Sequence, residues 1–83
     1  MKPEIYILLL GNNQYYVGSS NNLIRRIEEH KSGRVQSTKY KLPVRLIFHQ
    51  EFATLKEARQ IEFKIKKQKS RVFIEKILDR GFV

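Results

Sequence analysis

The sequence predicts an α+β fold: a small three-stranded antiparallel sheet flanked by helices, in the order ββαβαα. Two observations predict it. Residues 4–10 and 14–18 are β-rich runs joined by a Gly-Asn-Asn turn, which reads as a β-hairpin. The rest of the chain supplies one more strand among three helical segments, too few for a doubly wound parallel sheet. At 83 residues the chain is expected to form a single domain, residues 1–83, near the lower limit for one hydrophobic core.

Each element has its own signal. In the first strand, Tyr6, Leu8 and Leu10 share one face, and Ile5, Ile7 and Leu9 the other. After the hairpin, Asn21 or Asn22 can cap a helix that stops at Gly33. Residues 34–43 read as a basic loop closed by Pro43, and 44–52 as the third strand. Thr54 and Glu57 have the spacing of a capping box, so a helix should span 54–67. Ser70 starts the last helix, which buries Phe73, Ile74, Ile77 and Leu78 and ends before Gly81.

Charge narrows the partners. Seventeen Lys and Arg face eight Asp and Glu, a net charge of +9. A small domain this basic points to a polyanion, nucleic acid before an anionic membrane surface. There is no cysteine, which excludes disulfides and thiolate zinc sites. The run Ile5 to Leu10 is far too short to span a bilayer, and no secretory leader is visible. A cytoplasmic protein without membrane attachment is expected.

Several polar residues stand where apolar ones would be ordinary. A helix turns by about 100° per residue. On the 54–67 helix, Leu55, Ala58, Ile61 and Ile65 form one stripe, and Glu62 falls inside it. A carboxylate facing a core needs a partner or a metal. Lys66, four residues on, is the ordinary partner. The same geometry exposes Lys66 and turns Glu62 the other way, which favours a site carboxylate. On the first helix, Leu23, Ile24, Ile27 and the stem of Lys31 form the expected buried face. Arg26 and His30 stack on one flank of it. Arg25 and Glu29 can pair on the outer face, leaving Arg26 free to meet an incoming group. The arginine fork matches a phosphate.

Glu4-Ile5-Tyr6 and Tyr16-Val17-Gly18 stand ten residues apart, tyrosine to tyrosine. Arg26 follows Gly18 by eight residues, and His30 lies one helical turn later. Glu62 ends the stretch Glu57-Ala58-Arg59-Gln60-Ile61-Glu62. In this order and spacing the chain resembles the GIY-YIG nuclease family, including its UvrC-type catalytic domains and its small stand-alone bacterial members. The resemblance spans nearly the whole chain. Glu4 replaces the first glycine, Ser19 replaces a lysine common after the second tripeptide, and no asparagine follows Glu62 at the usual distance.

The resemblance implies metal-dependent hydrolysis of DNA phosphodiesters, with a role in DNA repair or recombination. Glu62 would hold a single divalent ion, Mg²⁺ or Mn²⁺, and no organic cofactor is implied. Arg26 would clamp a phosphoryl oxygen. The general base stays open among Tyr6, Tyr16 and His30. Gly18 would permit a sharp turn after the second strand and close approach of a phosphate. Tyr16 should face Arg26, with Tyr15 and Val17 packed on the opposite face. Arg34, Lys39, Tyr40 and Lys41 of the basic loop, with Lys66 and Lys69, would contact nucleic acid without reading sequence, although the loop residues also read as a solvated loop. With no room for a targeting domain, structure-selective or weakly specific action is expected. A monomer is the expected state; pairing through strand one, if it lies on an edge, is the route to a dimer. The alternatives are a non-cleaving nucleic-acid-binding module on the same fold and, more remotely, a basic interaction protein with structural tyrosines.

Overall fold

The computed structural model describes residues 1–83. Its elements run β1 (Glu4–Leu9), β2 (Tyr15–Ser20), α1 (Leu23–Lys31), β3 (Arg45–Glu51), α2 (Leu55–Gln68) and α3 (Arg71–Arg80). The order is ββαβαα. The sheet is antiparallel throughout, with strand order β2-β1-β3. β1 is therefore the middle strand and has no free edge. No helix is long and apolar enough to cross a membrane.

β1 is apolar on both faces because both faces are covered. Ile5 and Ile7 join Val17, Phe48, Ala58, Ile65 and Ile77 in a core under α2 and α3. Tyr6, Leu8 and Leu10 join Ile27 and Val44 in a second core under α1. Each fully buried aliphatic side chain contributes about 1.5–3 kcal/mol. Tyr15 packs with the first core, and Tyr16 with the second. The adjacent tyrosines thus serve opposite layers, as strand pleating requires.

Local chemistry sets the ends. The hairpin closes through the Leu10 amide on the Gln14 carbonyl at 2.9 Å, with Asn13 in the left-handed region at φ 67°. Asn tolerates that conformation better than most residues. Asn22 caps α1 by accepting from the Arg25 amide, and Ser70 caps α3 by accepting from the Phe73 amide. Thr54 and Glu57 form the full capping box on α2. α2 begins at Leu55, just after that cap, and continues to Gln68.

Several expectations are corrected. Ile24 is 71% exposed and Lys31 is exposed, while His30 is fully buried. The inward stripe of α1 is Leu23, Ile27 and His30, because Ile24 lies about 100° around the helix from Leu23. β2 does not end at Gly18 but runs on to Ser20. Gly18 makes no turn; it sits within the strand opposite Tyr6. A Cβ there would lie 2.5 Å from Tyr6 Cζ, so the glycine makes room for the phenol to lie across β2. The basic loop is not simply solvated, since Val35 and Thr38 are buried.

Gly18→Ala should therefore overpack the site and cost about 1–3 kcal/mol, read as a lower urea midpoint at unchanged slope. In a Tyr6→Ala background the same substitution should cost much less, because the ring it strikes is gone. An equal cost in both backgrounds would show that Tyr6 is not the obstacle.

Candidate active site

Antiparallel register builds the site. Tyr6 pairs with Gly18 and Leu8 with Tyr16, so Tyr6 and Tyr16 are diagonal neighbours on the α1 face, their ring centroids 6.4 Å apart. His30 descends from α1 against both rings, 5.5 Å from Tyr6 and 5.1 Å from Tyr16. The Tyr6 hydroxyl lies 2.8 Å from His30 Nε2, and His30 Nδ1 lies 2.8 Å from the buried Thr38 hydroxyl. Each imidazole nitrogen thus has one partner. Nothing in the sequence marked Thr38, whose role comes from the loop folding back under α1.

Arg26, half-buried on the flank of α1, lies against the Tyr6 phenol and contacts Glu29 at 3.1 Å. The expected Arg25–Glu29 pair is not the one formed. Residues three apart on a helix are neighbours as much as residues four apart, and the half-buried Arg26 takes the carboxylate.

Glu62 comes from α2, on the opposite side of the sheet, at the β2 edge. Ser19 Oγ donates to Glu62 Oε1 at 2.5 Å, and Lys66 Nζ donates to Oε2 at 2.6 Å. The Lys66 pairing set aside on helical geometry is therefore present: residues four apart lie only about 40° from each other around the helix, so the two side chains are neighbours. That ammonium also stands 5.7 Å from the Tyr16 ring centroid, tying the carboxylate to the tyrosines. Ser19, the residue after Gly18, thus holds the carboxylate.

Burial dominates the titration of the inner pair. It pushes the Tyr6 phenol up to about 12, against the opposing pull of Arg26, while Tyr16 and Glu62 add to the rise. It pulls His30 down to about 4, helped by the positive charge of Arg26. Burial also works against the Arg26 charge, but its contacts with Tyr6 and Glu29 outweigh that and raise its pKa. At neutral pH the chain Tyr6–His30–Thr38 is uncharged. Tyr16 is only half-buried, and its hydroxyl accepts from Ser37 Oγ at 3.3 Å.

The remaining candidates lie on the loop after α1 and at the end of α2. Arg34 bonds Ser32 Oγ at 2.7 Å and stays exposed. Lys39 covers the Tyr40 ring at 4.9 Å, and Tyr40 is 87% exposed. Lys41 is exposed on the same loop. Lys69 sits in the left-handed region at the end of α2 and lines a groove of about 500 Å³ with Tyr16, Lys66 and Arg71. Arg71, which nothing in the sequence singled out, stacks on Tyr15 at 4.3 Å. A larger hollow, about 730 Å³, lies on the outer face of α2 around Phe63 and contains none of the site residues.

No three His, Cys, Asp or Glu side chains cluster anywhere in the chain. A divalent ion would have one protein carboxylate, Glu62, and would complete its shell with water and substrate oxygens, a mode that suits Mg²⁺. The donor set fits such an ion, because the Lys66 ammonium already shows that Oε2 accepts a cation.

A tyrosine on the central strand thus faces a glycine of β2, a second tyrosine stands two residues before that glycine, and the arginine-bearing α1 covers the same face. The model of the GIY-YIG catalytic domain matches residues 2–76, and the chain belongs to that family. The family is one of nucleases, which generally use a divalent metal and act on DNA. The UPF0213 protein YazA of Bacillus subtilis is 36% identical over 74 residues, covering 84% of this chain and 75% of the relative. A UPF0213 protein of Streptococcus pneumoniae is 36% identical over 69 residues, covering 82% and 70%. The solution NMR structure of a UPF0213 protein from Bacillus halodurans superposes with a TM-score of 0.64 at 30% identity, covering 98% of this chain and 87% of that one.

The lowered pKa of His30 has a stability consequence. Between about 4 and 6.5 the unfolded chain binds a proton that the folded chain refuses, so stability rises with pH across that window. Urea midpoints measured from pH 4 to 7 should show this slope, and His30→Asn should flatten it. The ¹⁵N shifts of His30 should remain those of a neutral ring at pH 6.

Proposed function

We propose that residues 1–83 act as a single GIY-YIG domain, a divalent-metal-dependent endonuclease hydrolysing DNA phosphodiester bonds. The action is structure-selective or weakly specific, in DNA repair or recombination. The observation that carries this reading is the convergence of Tyr6, Tyr16, Arg26, His30 and Glu62 on one patch, from both sides of the sheet.

Arg26 leaves Glu29 and donates its fork to a non-bridging phosphoryl oxygen. Tyr16 meets the attacking water, because its phenol is half-exposed while that of Tyr6 is buried, bonded to His30 and raised to about 12. Tyr16 takes the proton of the water as its own proton is lost toward solvent. His30 is a positioning residue: fully buried and neutral, it fixes the Tyr6 hydroxyl and receives no proton from water directly. Glu62 would hold Mg²⁺ or Mn²⁺, oriented by Ser19; when bound, the ion supplies positive charge against the phosphoryl and leaving oxygens. Arg34, Lys39, Tyr40, Lys41, Lys66 and Lys69 carry the flanking DNA by its backbone, Tyr40 offering a face for a base. The protein works as a monomer in the cytoplasm, with no organic cofactor.

The Lys66 ammonium on Glu62 already offsets the repulsion between a carboxylate and a nearby phosphate, so cleavage itself separates the nuclease from a module that binds without cutting. The decisive assay uses nicked, flapped and branched DNA with Mg²⁺ or Mn²⁺. Glu62→Ala and Tyr16→Phe should each lose about 10² to 10⁴ in cleavage rate, with DNA binding retained. Equal cleavage by Glu62→Ala would remove the assigned role of Glu62. Salt-sensitive binding without cleavage of any substrate would leave the non-cleaving module. A sharp single-site pattern on a long duplex would contradict weak specificity.

A further inference from the structure

Both oxygens of Glu62 are already engaged, Oε1 by Ser19 at 2.5 Å and Oε2 by Lys66 at 2.6 Å. The two partners differ in kind. Ser19 is a neutral donor fixed on β2, and it can hold a carboxylate whether or not a metal is bound. Lys66 is a full positive charge on a flexible stem, half-exposed at the site's edge. A divalent ion on the same carboxylate would lie within a few ångströms of that ammonium, and two cations so close repel.

We propose that Lys66 is a built-in counter-ion that competes with the divalent ion for Glu62, so that the metal site is masked while the protein is free of DNA. The inference rests on Glu62 being the metal ligand. It adds what the ligand does when no substrate is present. Lys66 has somewhere to go: it lines the groove beside Tyr16 together with Lys69 and Arg71, where a phosphate would draw its ammonium off the carboxylate. The place Lys66 holds in the free protein is therefore the place the ion takes in the working one.

The pattern also occurs on the other helix. Arg26, proposed to hold the phosphoryl group, is itself paired with Glu29 at 3.1 Å in the free protein. The cations beside Tyr6 and Tyr16, Arg26 and Lys66, are thus both occupied by carboxylates of their own helices. Only Lys66 sits on the carboxylate that would hold the metal, so only Lys66 can mask it.

The test is Mn²⁺ binding to the DNA-free protein, followed by loss of the free-ion electron paramagnetic resonance signal, which reads metal affinity without cleavage. Lys66→Met should bind Mn²⁺ about twofold to fivefold more tightly than wild type, the factor expected from removing one exposed ion pair. Lys66→Arg should restore wild-type weakness. Lys56→Met removes the same charge from the first turn of α2 and should change little. Circular dichroism should be the same for all variants, since Lys56 and Lys66 are exposed. Unchanged or weaker binding by Lys66→Met, including no measurable binding by either it or wild type, would overturn the proposal. Equal tightening by Lys56→Met would also overturn it, as an effect of net charge alone. Glu62→Gln separates the two layers. If it binds Mn²⁺ as wild type does, Glu62 is not the ligand and the functional reading fails with the inference. If it loses binding while Lys66→Met gains none, the inference alone fails.

Discussion

The contact between the Tyr6 hydroxyl and His30 Nε2, 2.8 Å long and fully buried, organises everything above the sheet. It fixes the depth of α1 against β1, because the ring lies between them. It decides the residue at position 18, since the phenol reaches His30 only by crossing β2 where no Cβ stands. It also decides how the basic loop folds, because the second nitrogen of His30 needs a partner and Thr38 supplies it at 2.8 Å. A buried imidazole with one nitrogen unpaired would cost on the order of 1–3 kcal/mol. Strand, helix and loop therefore meet at one uncharged chain of hydrogen bonds.

That neutral interior is surrounded by charges arranged in pairs. Arg26 stands with Glu29 and Lys66 with Glu62, at the rim where water can reach them. Exposed pairs of this kind contribute little to stability, about 0–1 kcal/mol each. Their weakness suits a binding surface. Under the proposed mechanism, groups that exchange a carboxylate for a phosphate cannot be held strongly. The protein keeps its strong, satisfied contacts for geometry and its weak ones for chemistry.

Much of this was legible in the sequence. The order ββαβαα, the caps of α2 and α3, a cap of α1 at Asn21 or Asn22, and the opposite duties of Tyr15 and Tyr16 follow from local signals: turn residues, capping side chains and the two-residue period of a strand. Arg26, His30 and Glu62 stood out by chemical type and helical position, Tyr6 and Tyr16 through the resemblance to the GIY-YIG family, and the fold brings the five together. What failed was a misjudged helical neighbour and whatever depends on contacts distant in sequence. Glu62 and Lys66 were read as pointing apart, but four residues turn the helix by about 400°, so the two lie only about 40° apart and pair directly. Arg25 looked like the partner of Glu29, but burial of the neighbouring position gave the carboxylate to Arg26. Gly18 looked like a turn residue because nothing local reveals that a ring from another strand lies over it. Thr38 could not be seen at all, since its partner is set by tertiary folding alone.

β1 is shared strictly by parity. Ile5 and Ile7 belong to the core beneath α2 and α3, while Tyr6, Leu8 and Leu10 belong to the site layer. Substitutions can be absorbed one layer at a time. Insertions and deletions cannot, because a shift of one residue exchanges the two faces and turns the phenol into the opposite core. The length of this strand is therefore tied to the chemistry as firmly as the identity of its tyrosine. Change in chain length within this fold should collect after α1, in the stretch between His30 and β3, where only Val35, Thr38 and Val44 need to find their places.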